Sequence, residues 1–233
     1  MNEVILSARG LTKHYGGFPA LDQLNIDVYK GRIIGLLGPN GCGKTTFIKL
    51  AAGLLFPTSG TVTVGGMTVG PQAKRIVSYL PDRDFLPRHM RVKELLKMYT
   101  DFFEDFDNAR AVDMLTRLGV DFSQKFDSMS KGTRERVQLA LVMSRRAELY
   151  LLDEPIAAVD PAAREYILRT VLENYKEGSA VLISTHLISE VEPIIDDVIM
   201  LQNGTLRLYG PADRIRADTG GSIDALFREV YRC

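Results

Sequence analysis

Hydrophobic and polar positions alternate through residues 3–15, EVILSARGLTKHY, and again through 20–31, ALDQLNIDVYKG. That period, with its β-branched content, predicts two paired antiparallel strands with one buried face. The pattern then changes to the continuous apolar run RIIGLLG at 32–38, as in a strand covered on both faces. RIVSYLP (75–81), LYLLD (149–153) and SAVLIST (179–185) read the same way. Between these runs the period lengthens. KTTFIKLAAGLL (44–55), VKELLKMYTDFF (92–103), ARAVDMLTRLGV (109–120), TRERVQLALVMSRR (133–146) and PAAREYILRTVLENYKEG (161–178) place apolar residues three and four apart, which predicts amphipathic helices. Pro161 suits the first turn of the last of these. LISEVEPIIDDV (187–198) is expected to be helical. SGTVTVGGMTVG (59–70) and VIMLQNGTLRLYG (198–210) are expected to be hairpins, the second turning at Asn203-Gly204. IDALFREVYRC (223–233) has helical spacing and equally suits a short docking segment.

Buried strands alternating with helices predict an α/β fold with a mainly parallel sheet flanked by helices. An N-terminal antiparallel β-subdomain and a helical insert are additions to it. The expected division is 1–82 and 131–215 for the core and β-subdomain, 83–130 for the α-helical insert and 216–233 for a tail. Composition adds little. The 233 residues are 45% hydrophobic, enough for a proper core, and 29 basic residues balance 29 acidic ones, giving no net pull toward nucleic acid. No run reaches the roughly 18 apolar residues of a spanning helix, and the N-terminus lacks the pattern of a secretory signal. Any membrane association is therefore expected through a partner. The two cysteines, Cys42 and Cys233, have no metal-ligand spacing and read as reduced cytosolic thiols.

The candidate chemistry starts where the first buried strand ends. GPNGCGKTT, residues 38–46, contains G-x-x-x-x-G-K-[ST] between a predicted strand and a predicted helix. In that context Gly38, Pro39, Asn40, Gly41, Cys42 and Gly43 form a loop whose backbone N–H groups surround phosphate oxygens at a helix N-terminus. Lys44 reaches the β- and γ-phosphates, Thr45 presents its hydroxyl to Mg²⁺, and Thr46 bonds the α-phosphate. A plain Gly-rich turn is the alternative, and for Cys42 an inert packing role is preferred to a redox one. LYLLDEP ends in two acids. Adjacent strand residues face opposite ways, so Asp153 is assigned to the Mg²⁺ shell and Glu154 to polarising a water for attack on the γ-phosphorus; solvated turn acids are the alternative. His186 closes SAVLISTH, at the strand end where such sheets collect ligand, and is either catalytic or a satisfied structural residue.

With these pieces in order, the chain resembles the nucleotide-binding domains of the ATP-binding cassette (ABC) transporter family over about residues 3–210. The resemblance implies a P-loop NTPase core, ATP and Mg²⁺ as bound groups, ATP hydrolysis, and a head-to-tail dimer with itself or a homologous chain. It also implies separate integral membrane permease subunits, no nucleic acid partner, and a place on the cytoplasmic face of the plasma membrane. It assigns adenine stacking to Tyr15 in KHYGGFPALD, where a packing role is the bottom-up default. It matches MSKGT (129–133) to the family's LSGGQ signature, keeping Ser130 and Gly132 for the partner's γ-phosphate; Lys131 and Thr133 depart from it. Simple capping by Ser130 or Thr133 is the alternative. Ala157, Ala158, Val159 and Asp160 match the D-loop, His186 the switch histidine, and Asp82 in SYLPDRDFLP replaces the family's glutamine as a group facing Mg²⁺ and water. YLPDRDFLPRHMRVKELL resembles the bacterial exporter-type branch. A soluble non-transport cassette ATPase (translation, repair or cofactor assembly) and an ATP-binding regulatory module with little turnover are the other functional classes.

Overall fold

In the computed structural model, which describes residues 3–157 and 161–231 with the side chains of 162 and 163 left aside, the N-terminal alternation folds as an antiparallel pair. Strands β1 (Val4–Tyr15) and β2 (Phe18–Tyr29) set Leu6 opposite Val28 and Ala8 opposite Ile26, so one face of each is buried. Strand β3 (Ile33–Leu37) is buried at every position and leads through the glycine-rich loop into helix α1 (Lys44–Ala51). Strands β4 (Ser59–Val64) and β5 (Met67–Thr68) complete a four-stranded antiparallel sheet in the order β2-β1-β4-β5. Helix α2 (Pro71–Arg75) and strand β6 (Val77–Leu80) return the chain to the central sheet.

Next come the helices of the insert, α3 (Val92–Phe102) and α4 (Asn108–Arg117), then a single 3₁₀ turn at Phe126–Ser128 and helix α5 (Lys131–Met143). Asp107 caps α4 by accepting from the Arg110 N–H at 3.0 Å. Strand β7 (Leu149–Asp153), helix α6 (Pro161–Asn174), strand β8 (Ala180–Thr185), the short helix α7 (Ile188–Val191), strands β9 (Asp197–Gln202) and β10 (Thr205–Pro211), and helices α8 (Ala212–Thr219) and α9 (Ile223–Val230) finish the chain.

The central sheet has the order β10-β9-β3-β8-β7-β6 and is parallel except for β10. Successive residues of its strands enter two different cores: Leu37, Val181, Ile183 and Met200 pack toward the helices of one side, while Leu36, Leu182, Ile199 and Leu201 pack under the antiparallel sheet. Two covered faces are why these strands read as unbroken apolar runs. All five parallel strands aim their C-terminal ends at one edge, where the site forms.

One expectation fails locally. The helix expected at 187–198 is only four residues long, because Pro193 follows it and cannot donate to a further turn, and Asp197 already belongs to β9. There the Asp196 carboxylate accepts from the Ile33 N–H at 2.8 Å, which pulls the chain into the sheet. The tail is helical through α8 and α9, of which only the second was legible as a period.

Candidate functional site

The loop between β3 and α1 is closed by what its glycines omit. A Cβ on Gly38 would meet Cys42 Sγ at 2.4 Å and the Leu201 carbonyl oxygen at 2.6 Å. At Gly43, φ is +108° and a Cβ would lie 2.5 Å from the Ala20 carbonyl oxygen. Only glycine fits such approaches. Cys42 turns into the core beneath the loop, where burial pushes its thiol up, which agrees with an inert packing role. Its backbone is part of the loop: the Cys42 N–H donates to the Pro39 carbonyl at 3.3 Å.

Lys44 is buried and its ammonium donates to the carbonyls of Gly38 (2.8 Å) and Pro39 (3.3 Å), with Glu154 Oε1 at 3.5 Å. Glu154 follows the end of β7 and adopts φ +51°, unusual for a residue with a side chain. It is held there by its N–H, which lies 3.0 Å from both the hydroxyl and the carbonyl oxygen of Ser184. The separation of Asp153 from Glu154 therefore comes from this left-handed turn and not from strand alternation. Glu154 Oε2 pairs with His186 Nδ1 at 3.0 Å.

Asp153 is fully buried. Its Oδ1 accepts from Ser184 Oγ (2.6 Å) and Thr45 Oγ1 (3.1 Å), while Oδ2 has no hydrogen-bond partner among the described residues. Burial raises its pKa above the ordinary carboxylate value; the two hydroxyl bonds oppose this, and the charges of Asp82 and Glu154 add to it. A buried carboxylate oxygen without a donor, beside a threonine hydroxyl, is a hard oxygen set that fits Mg²⁺.

A cleft of about 580 Å³ opens over these groups, within the usual range for a ligand pocket. Asn40, Gly41, Gly43, Lys44, Thr45 and Thr46 line one wall, Asp82 and Glu154 another, and His186 stands at the edge. Of the sequence-based candidates, Asn40, Gly41, Gly43, Lys44, Thr45, Thr46, Asp82, Glu154, Ala157 and His186 line the cleft, as does Lys131, while the fully buried Asp153 joins them through its bond to Thr45. Tyr15 is half exposed at the tip of the β1–β2 pair, with Lys13 Nζ 5.5 Å from its ring centre, and does not line the cleft. Ser130 and Gly132 do not line it either. The Ser130 hydroxyl accepts from the Thr133 N–H at 3.2 Å and lies 2.8 Å from the Thr133 hydroxyl, so within this chain it caps α5. Asp160, with Ala158 and Val159, lies outside the described residues.

Sequence reasoning missed Ser184, which sets both Asp153 and Glu154; the visible signal was two hydroxyl residues ending an otherwise apolar strand. It also missed Asp84. Asp84 accepts from Arg134 Nε (2.8 Å) and Gln138 Nε2 (3.2 Å), tying the loop that carries Asp82 to α5.

A family model described as ABC transporter matches residues 21–157, more than half of the chain. The chain is 35% identical over 214 residues to an uncharacterized ABC transporter ATP-binding protein, YdbJ, of Bacillus subtilis, covering 89% of this chain and 69% of that protein. It is 32% identical over 240 residues to the hemin import ATP-binding protein HmuV of Streptomyces coelicolor, covering 98% of this chain and 84% of that protein. Among solved structures, the ATP binding subunit of an ABC transporter superposes with a TM-score of 0.88 at 28% identity, over 97% of this chain and 98% of that one. A dimeric cassette in a post-hydrolysis state bound to ADP and Pi superposes with a TM-score of 0.78 over 89% and 98%; at 20% identity that likeness shows the fold alone.

Proposed function

The chain belongs to the ABC transporter ATP-binding family and is an ATPase, and from that premise we propose that it drives separate membrane permease subunits through Mg-ATP binding, head-to-tail dimer closure, hydrolysis and reopening. It would work on the cytoplasmic face of the plasma membrane. The observation that carries this reading is that Glu154 meets both Lys44, at 3.5 Å from Nζ, and His186, at 3.0 Å from Nδ1, beside the phosphate loop.

In this reading the loop amides and the N-terminus of α1 receive the phosphate oxygens. Lys44 exchanges its carbonyl partners and Glu154 for the β- and γ-phosphates. That exchange frees Glu154 to accept a proton from the attacking water. His186, bonded to Oε2, keeps the carboxylate aimed, and the left-handed turn held by Ser184 prevents it from swinging away. Thr45 and Asp153, with Asp82 beside them, would hold Mg²⁺, which would supply neutralisation of charge on the phosphate oxygens. Tyr15 stacks on adenine. Ser130 and Gly132 act on the nucleotide of a second copy, together with Asp160: Ser130 is exposed and does not line its own cleft, and a Cβ at Gly132 would meet nothing within 4 Å, which leaves room for a phosphate group. The division at 83–130 belongs to the same proposal, the helical insert being the part that moves on closure and meets the permease.

Lys44→Ala is expected to abolish ATP binding and turnover. Glu154→Gln is expected to keep binding, to lower steady-state phosphate release by about 100-fold or more, and to accumulate an ATP-bound dimer visible by size exclusion in Mg-ATP. Unchanged phosphate release in Glu154→Gln would overturn the assignment of the base. Recovery of a soluble complex in place of a membrane subunit on affinity purification would favour a non-transport cassette ATPase.

A further inference from the structure

The segment after β10 has no part in the chemistry above, yet its last helix is tied at both ends to the segments that carry that chemistry. Ile223 is fully buried, and Leu226, Phe227 and Tyr231 pack on the core that also takes Ile188 and Val191 of α7. At the first turn of α9 the Glu192 carboxylate accepts from the N–H groups of Ile223 (2.8 Å) and Asp224 (3.2 Å), two donors that a helix cannot satisfy itself. Arg216 of α8 closes the cluster, donating from Nε to Glu192 Oε1 at 3.3 Å and from Nη2 to the Glu192 carbonyl at 2.9 Å. Glu192 directly follows α7, and α7 begins two residues after His186.

The other end of α9 reaches the phosphate loop from beneath. The Tyr231 hydroxyl donates to the Leu201 carbonyl at 2.9 Å. That same carbonyl oxygen occupies the space a side chain on Gly38 would need. Burial, with the Cys42 thiol nearby, pushes the Tyr231 phenol up to about 12, so at neutral pH it stays a donor. The eight residues of α9 rise about 12 Å, with Glu192 bonded at the first turn and Tyr231 directly following the last residue.

We propose that α9 is a strap that keeps the histidine-bearing and phosphate-binding parts of the site in register, with Glu192 and Tyr231 as positioning residues. The proposal rests on the reading of Lys44, Glu154 and His186 as the ATP site. His186 and Lys44 follow different strands, β8 and β3, and the short α7 lacks the length to fix the path after His186 by its own hydrogen bonds. The Leu187 N–H donates to Thr185 Oγ1 (3.0 Å) and Glu190 pairs with Arg164 of α6 (3.2 Å); Glu192 adds the anchor of the C-terminal end of α7 to α8 and α9. Tyr231 holds the Leu201 carbonyl against the turn at Gly38. A displacement of about 1 Å at either end is enough to cost up to about 100-fold in rate.

The test is steady-state ATP hydrolysis by the full chain with Mg-ATP varied. Glu192→Ala is expected to lower kcat about 5- to 20-fold with KM changed less than about twofold, because it acts through His186. Tyr231→Phe keeps the ring on Phe227 (centroids 4.4 Å apart) and removes one donor, so it is expected to raise KM about 3- to 10-fold with kcat near the parent value. Glu192→Gln retains a carbonyl acceptor and should recover part of the kcat lost in the alanine variant. Arg214→Ala, on the exposed face of α8, should leave both constants unchanged. Parent kcat and KM in both strap variants would overturn the proposal, as would losses that only follow the fraction unfolded by circular dichroism at the assay temperature. If Lys44→Ala and Glu154→Gln also hydrolyse ATP normally, the site assignment itself has failed. If those two are dead while the strap variants match the parent, the strap alone has failed.

Discussion

Asp153 shows at the scale of one residue how the site is built against stability. A carboxylate with one oxygen bonded to Ser184 and Thr45 and the other without a donor is costly to bury as an anion. Its pKa is raised for that reason. The folded state then holds the proton more tightly than the unfolded state, so this group subtracts stability as pH rises through the interval above its ordinary value of 3.8. Below that value, with the proton on in both states, the cost is gone. Asp153→Asn keeps an oxygen for Ser184 and Thr45 and removes the charge. Thermal unfolding without nucleotide should therefore show a Tm about 2–4 °C higher than the parent at neutral pH. The gain should shrink as pH falls toward the ordinary carboxylate range, and ATP turnover should be lost. An unchanged or lower Tm at neutral pH would show that the unpartnered oxygen is not a stability cost.

At the scale of elements, the joint between core and helical insert depends on Arg145, just past the end of α5. Its guanidinium donates to the Val77 carbonyl (2.6 Å) at the start of β6 and to the Arg75 carbonyl (2.8 Å) at the end of α2. It also pairs with Asp105 (3.0 Å) between α3 and α4, and lies 4.1 Å from the Phe103 ring centre. A lysine cannot reproduce this planar fork. Arg145→Leu leaves two carbonyls and Asp105 without their donor and is expected to cost about 3 kcal/mol. At about 2–4 °C per kcal/mol that lowers Tm by roughly 6–12 °C, and a double-mutant cycle with Asp105→Ala should show strong coupling. Sequence pattern could not reveal such a residue, since SRR at 144–146 reads as a solvated helix end. What pattern did reveal is local: the strand period, the helix period, and the phosphate loop, whose glycines and lysine are contiguous. What it missed depends on neighbours distant in the chain. The φ of Glu154 is set by Ser184, 30 residues on; the early end of α7 reflects Pro193 and the pairing of Asp196 with Ile33; and the capping of α9 by Glu192 joins positions 31 and 32 residues apart.

For the whole molecule, no described helix is long and apolar enough to cross a membrane, and the proposed contact with a permease would draw on exposed apolar surface. That surface is uneven. Leu54 and Phe85 are exposed and line a groove with Tyr99 and Phe103, between the core and the insert. Two chain neighbours of these residues, Phe56 and Phe102, are 85% and 77% exposed. Large aromatic side chains left in water on both sides of one joint suit a protein partner better than solvent. Phe56→Ser and Phe102→Ser change no buried contact, so each should alter stability by no more than about 0.5 kcal/mol and leave hydrolysis by the isolated chain at the parent rate. In the assembled transporter the same substitutions should weaken co-purification with the membrane subunit and uncouple hydrolysis from transport. Loss of hydrolysis in the isolated chain would instead place these aromatics in the catalytic fold, and full retention of the complex would move the docking surface elsewhere on the molecule.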